Sequence, residues 1–178
     1  MSYYGFDAFS DEYWRVTENF LKTAAEYGMN CVLTPIFTPP LDTAVGGERP
    51  TAQLVDITLS GGKYSFNFDK LTRWIEMSHR CGISYFEFSH FFTQWGAKKA
   101  PKIMATVDAE YKKLFGWKTK AMSKAYKEFL AAFSAELKRY IEERGLKNNV
   151  IIHVSDEPNA SMIFSYKRAA RYIRQLFE

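Results

Sequence analysis

The sequence predicts an α/β fold built on a parallel sheet, and three observations carry that prediction. Three segments share one format: an amphipathic helix, a glycine where a left-handed C-terminal turn belongs, then a short apolar strand. The strands are runs of consecutive apolar residues, as expected where a sheet is covered on both faces. Helices alternate with strands, so the connections are crossovers between parallel neighbours and should be right-handed.

In the first unit Ser10 caps a helix with Asp11 and Glu12 in its first turn. Trp14, Thr17, Leu21, Ala24 and Ala25 line its apolar face, Gly28 ends it, and a strand runs from Cys31 to Phe37. In the second, Asp69 caps a helix burying Leu71, Trp74, Ile75 and Ser78, closed by Gly82 and followed by a strand from Ile83 to Phe88. The third helix is the longest, with Met122, Tyr126, Phe129, Leu130, Phe133, Leu137, Tyr140 and Ile141 at spacings of three and four. Gly145 stops it and Val150 to Ser155 form the third strand. A last helix carries Ile163, Tyr166, Ala170, Ile173 and Phe177 on one face.

Two long connections follow strands, at the end where α/β enzymes place their chemistry. The first, Thr38 to Phe68, alternates on either side of Gly61-Gly62 and predicts an inserted β-hairpin. The second, Ser89 to Lys120, is rich in aromatics and lysines and too long to be a mere connector.

Composition narrows the class further. At 178 residues and 47% hydrophobic, the chain has enough apolar material for a substantial core. No apolar run approaches the ~18–20 residues of a membrane helix, and the N-terminal residues show neither a basic flank nor an apolar signal core. Cys31 and Cys81 are too few for a disulfide scaffold and lack metal-ligand spacing. Between Lys98 and Lys127 nine lysines face only Asp108 and Glu110, with Tyr111, Phe115 and Trp117 interleaved. That is a pattern for nucleic acid, but solvated faces produce such lysines more often, and no nucleic-acid partner is assigned. Aromatic residues make up 17% of the chain, more than a core of this size normally uses.

The sharpest local feature is HVSDEP, residues 153–158, which sets two adjacent carboxylates at the end of a buried strand. Pro158 biases Glu157 toward extended backbone and starts the next helix, so the chain turns there. Ordinary capping by Ser155 or Asp156 explains these letters as well as acid–base chemistry does, and is the commoner outcome. His153 shares a strand face with Ser155; an interior histidine is more often a satisfied core residue than a catalyst. A second cluster, Glu87, Ser89, His90, Gln94 and Trp95, lies at and beyond the preceding strand. A strand-end tryptophan beside polar donors suits a sugar; Phe91, Phe92 and Trp95 would equally serve to cover the sheet's end. His79 lies on the polar side of its helix.

Taken together, NCVLTPIFTPP (30–40), ERPTAQLVDI (48–57), YFEFSHFFTQWGAKKAPKI (85–103), EYKKLFGW (110–117) and HVSDEP (153–158) resemble the catalytic domain of family 123 glycoside hydrolases over nearly the whole chain. One departure is Ala109, where the resemblance leads one to expect glycine. The resemblance implies a (β/α)8 barrel and a retaining exo-β-N-acetylgalactosaminidase working by substrate assistance, outside the two-carboxylate scheme. It maps the family's Asp-Glu pair onto Asp156, which would stabilise the acetamido N–H, and Glu157, which would act as acid and then base. It implies a carbohydrate with a terminal 2-acetamido sugar; no cofactor or metal is expected, because no glycine-rich phosphate loop or zinc-ligand pattern is present. His90, Trp95 and His153 are added as substrate-binding candidates from their strand-end positions, not from the family.

A (β/α)8 barrel typically takes ~250 residues. The expectation is therefore a single partial barrel domain over 1–178, apparently truncated at both ends, holding approximately strands two to four with their helices plus the hairpin. Such a section should leave sheet edges and much of its aromatic surplus exposed, favour self-association and show little activity alone.

Overall fold

A computed structural model describes residues 5–41 and 43–178. Its first sheet holds β1 (Cys31–Thr34), β4 (Tyr85–Phe88) and β7 (Val150–Ile152), in the order β1-β4-β7 and parallel throughout. Helices α1 (Asp11–Glu26), α2 (Asp69–Arg80) and α3 (Lys124–Glu143) precede the three strands, and α4 (Ile163–Phe177) follows the last. No described helix is long and apolar enough to cross a membrane.

The strands are shorter than the apolar runs suggest, because regular pairing stops where the chain turns. Pro35 has no N–H to extend β1. Beyond β7, the carbonyls of His153 and Val154 still accept hydrogen bonds from the amides of Phe91 (3.3 Å) and Phe92 (3.1 Å), but in irregular backbone. Nor are the strands covered on both faces. Phe86 and Phe88 are fully buried, while Tyr85 and Ile151 on the opposite face are 41% and 50% exposed.

The first predicted hairpin is present as β2 (Asp56–Ser60) and β3 (Lys63–Asn67) around Gly61-Gly62. The second long connection is a hairpin too, which the sequence reading missed: β5 (Ile103–Val107) and β6 (Glu110–Phe115). Parallel pairing of β2 with β5 joins both insertions into a four-stranded sheet, β3-β2-β5-β6. Its lysines are solvated and partly paired, Lys112 with Glu110 (2.6 Å) and Lys113 with Glu48 (2.5 Å).

The α3 helix joins the two sheets. Phe133 packs against Phe37, beyond β1, with ring centroids 4.7 Å apart, and against Phe66 of β3 at 5.3 Å. Phe129 meets Tyr64 of β3 at 5.3 Å and Phe115 of β6 at 5.1 Å. The aromatic surplus is thus largely internal, contrary to expectation: Phe37, Phe86, Phe88, Phe91, Phe92, Phe129 and Phe133 are all fully buried. Edge-to-face and tilted ring pairs across an interface let bulky side chains fill it at interior density.

Helix starts differ in detail from the sequence pattern. Ser10 caps α1 as expected, its Oγ accepting from the Tyr13 amide. At α2, Asp69 is the first helical residue and Phe68 the N-cap, with no side-chain cap; the Asp69 N–H donates to Asn67 Oδ1 (2.7 Å), just outside the helix. A 3-10 turn, Ala160–Met162, precedes α4, and Asn159 caps it by accepting from the Ser161 amide. In α4 the buried residues are Ala169 and Ile173; Ile163, expected on the apolar face, is 37% exposed.

The β5–β6 turn places Asp108 (φ 48°) and Ala109 (φ 72°) in left-handed backbone, the pair of positive φ values that two-residue hairpins use. Alanine is strained there where glycine is not. Ala109→Gly is expected to raise stability by about 1 kcal/mol, read as a higher urea midpoint at unchanged slope.

Candidate active site

The polar groups without partners gather at one end of the parallel sheet. Of six buried side-chain atoms lacking a hydrogen bond among the described residues, four belong to Thr38, His90 and Gln94 in the segments after β1 and β4. Leaving such a group unsatisfied costs about 1–3 kcal/mol, so a concentration of them at one place calls for an explanation.

The segments that form this rim are tied together through backbone. Ser89 Oγ both donates to the Phe37 carbonyl and accepts from the Phe37 amide, each at 3.0 Å, linking the exits of β1 and β4. Ser155 Oγ donates to the Thr93 carbonyl (2.8 Å), linking the exits of β4 and β7. From below, the fully buried Tyr126 of α3 donates its hydroxyl to the Phe91 carbonyl at 2.5 Å. Serines and a tyrosine that a sequence pattern treats as filler thus hold the rim in register.

Glu87 is the register partner of Ile151, and side chains alternate along a strand, so Glu87 and His153 point from the same open face. His153 Nδ1–H donates to Glu87 Oε1. The His90 ring lies against His153, centroids 3.9 Å apart and planes at 54°. His90 is buried, with neither ring nitrogen hydrogen-bonded among the described residues. Burial, and secondarily the neighbouring His153, lower its pKa to about 4 despite the opposing pull of Glu87.

Trp95, Gly96 and Ala97 all have positive φ, 61°, 98° and 53°. Gly96 is required, since a Cβ there would stand 2.9 Å from Met162 Cβ. This strained turn carries Trp95 out to the rim, 39% exposed, while its amide donates to the Asp156 carbonyl (3.4 Å). Glu157 also sits in left-handed backbone at φ 45°, where extended conformation was expected before Pro158. Strain of this kind costs about 1–3 kcal/mol per residue and gathers where function requires it.

With Asn159 capping the turn that follows, capping does not account for Asp156 or Glu157. Asp156 is half-buried, Glu157 is exposed, and neither carboxylate makes a hydrogen bond or ion pair among the described residues. The five sequence-derived candidates, His90, Trp95, His153, Asp156 and Glu157, all fall on the segments beyond β4 and β7. Glu87, named in the sequence cluster without a role, joins them through His153; the signal for it was its position one residue inside the strand end.

A sequence profile of the glycoside hydrolase 123 catalytic domain matches residues 1–178. The chain belongs to this family. Among solved structures it is similar to a family 123 glycoside hydrolase from Clostridium perfringens, studied for the details of glycolipid glycan hydrolysis, with a TM-score of 0.65 at 13% identity. That match covers 90% of this chain and 27% of the other, so the chain spans about a quarter of the length of that family 123 structure. No curated protein matches the sequence.

The buried neutral His90 makes this family 123 chain sensitive to acid. Because its folded pKa, about 4, lies below the ordinary histidine value of 6.5, the unfolded state takes up the proton first as pH falls. The stabilisation is complete above pH 6.5 and is lost progressively toward pH 4, amounting to about 3 kcal/mol over that window. Urea unfolding at pH 7 and pH 4.5 should show this loss in the natural sequence, and a correspondingly smaller one in His90→Asn.

Proposed function

We propose that this chain carries the catalytic pair of a retaining exo-β-N-acetylgalactosaminidase, acting by substrate assistance on glycans with a terminal β-linked 2-acetamido sugar. The observation that carries the proposal is a pair of adjacent carboxylates beyond β7, without partners among the described residues and next to the loop of an exposed tryptophan, in a member of a glycoside hydrolase family. Glycolipid glycans are the proposed substrate class, by analogy with the Clostridium perfringens enzyme. The parallel β1-β4-β7 wall is proposed as strands two to four of a (β/α)8 barrel, with residues 1–178 as one partial domain. The open face carrying Glu87 and His153 would then look into the barrel, and the free edges of β1 and β7 would pair with further strands or with another copy.

In the first step the sugar's acetamido oxygen attacks C1 as the C1–O glycosidic bond breaks. Glu157 gives its proton to the departing oxygen, and an oxazoline still protonated on nitrogen forms. Asp156 accepts the acetamido N–H and stabilises the positive charge that develops there. Water then attacks C1, Glu157 takes its proton, and the oxazoline C1–O bond opens to restore the acetamide. Two inversions at C1 leave the configuration retained. Adjacent carboxylates suit this division because one meets the 2-substituent and the other the glycosidic oxygen. Glu157 is exposed, so the dry setting that a general acid needs comes from the bound sugar and whatever else covers the rim. Trp95 supplies a ring for the sugar's C–H face, and His90 and His153 polar edges for its hydroxyls.

The test, made with the whole barrel present, is hydrolysis of an aryl β-N-acetylgalactosaminide with retention at C1. Glu157→Gln and Asp156→Asn should each lower kcat by ~10²–10⁴, and azide should not yield an enzyme-bound glycosyl species. Trp95→Ala should act chiefly on KM. Full activity in Glu157→Gln would sink the mechanism. Glycan binding that is lost in Trp95→Ala, without turnover in any variant, would instead mark a carbohydrate-binding relative.

A further inference from the structure

We propose that Glu87, His90 and His153 form a binding site for a divalent transition-metal ion of the zinc class. The three come from two adjacent strands: Glu87 from β4, His90 just beyond it, and His153 just beyond β7. Each offers one ligand atom, and these atoms all lie within 4.8 Å of one another. Ligand atoms on a tetrahedral ion with bonds of ~2.1 Å stand ~3.4 Å apart. Reaching that spacing takes a shift of at most about 1.4 Å and the release of the His153–Glu87 hydrogen bond, within reach of rotation about the side-chain bonds of Glu87 and His153, which are 33% and 30% exposed.

The second observation is His90 itself. It is 2% exposed, its ring packs against His153, and neither of its nitrogens has a hydrogen-bond partner among the described residues. A neutral imidazole normally satisfies one nitrogen as donor and the other as acceptor. An ion held between the carboxylate and the second imidazole would satisfy one of the two orphaned nitrogens of His90. Two histidines and one carboxylate are a donor set used for zinc and other first-row ions, while magnesium and calcium prefer oxygen alone. Three protein donors also leave a coordination position open on the exposed side. The sequence concealed the set because Glu87 and His90 are separated from His153 by the whole of α3, leaving no short ligand motif.

This inference does not depend on the glycosidase reading; it requires only the three side chains. An ion there would fasten the loop beyond β4 to the exit of β7 and so add to what Ser155 does through Thr93. It would also occupy the edges of His90 and His153 that the proposed sugar site uses, so zinc and sugar would compete.

The experiment is titration of the chelator-treated full chain with Zn2+ by calorimetry and with Co2+ by visible absorption. The expected result is one ion per chain, Kd below about 100 µM, and the d–d band of four- or five-coordinate Co2+ with nitrogen and oxygen ligands. His153→Ala and Glu87→Gln, both partly exposed and checked for folding by far-UV circular dichroism, should each weaken binding at least ~10-fold. The surface variant His79→Ala should bind as the natural sequence does, and excess Mg2+ should not compete. Absence of both the heat and the cobalt band overturns the proposal. So does undiminished affinity in His153→Ala and Glu87→Gln, or loss of binding in His79→Ala. Failure of the glycosidase test would leave these outcomes unchanged.

Discussion

The aromatic face of α3 is the constraint on which the rest of the molecule depends. Phe129 and Phe133 touch the exit of β1 on one side and strands β3 and β6 on the other. The two sheets share no strand, so this helix and its rings hold the inserted sheet against the parallel one. Truncating one buried phenylalanine costs about 3–5 kcal/mol in general, against a total stability of about 5–15 kcal/mol for a domain. The surplus of aromatic residues is therefore the material of an interface between two sheets.

The same helix reaches the rim through a single hydrogen bond. Tyr126 lies at the foot of the aromatic column, stacked on Phe129, and its hydroxyl ends on the Phe91 carbonyl. Phe91 and Phe92 fill the core while their amides bind the exit of β7. Their neighbours His90 and Gln94 are buried with them as a consequence. A loop dictated by core packing thus brings polar groups into places where they find no internal partner, and those places line the end of the parallel sheet. The cost of burying them, and of the left-handed residues at Trp95, Ala97 and Glu157, is carried by the aromatic core beneath.

Much of the fold was legible because it rests on local signals. Helical spacing with terminal glycines located α1, α2 and α3, and alternation about Gly61-Gly62 located the first hairpin. The second hairpin was hidden because Asp108-Ala109 carries no glycine and lysines fill its exposed positions, so its alternation resembled a basic loop. Asn159 as a cap was missed because nearby acids and serines compete for the same role in a sequence pattern.

What the sequence by itself determined was the α/β alternation, the family, and the placing of five candidate residues beyond two strands, since strand order and apolar runs are properties of the chain. Only the tertiary structure decided that Asp156 and Glu157 are left free of capping, because that turns on where the next helix begins. It alone brought Glu87 and His90 against His153, because parallel register sets residues more than sixty positions apart side by side. Local chemistry specifies elements, whereas a site assembled across strands exists only once they pair.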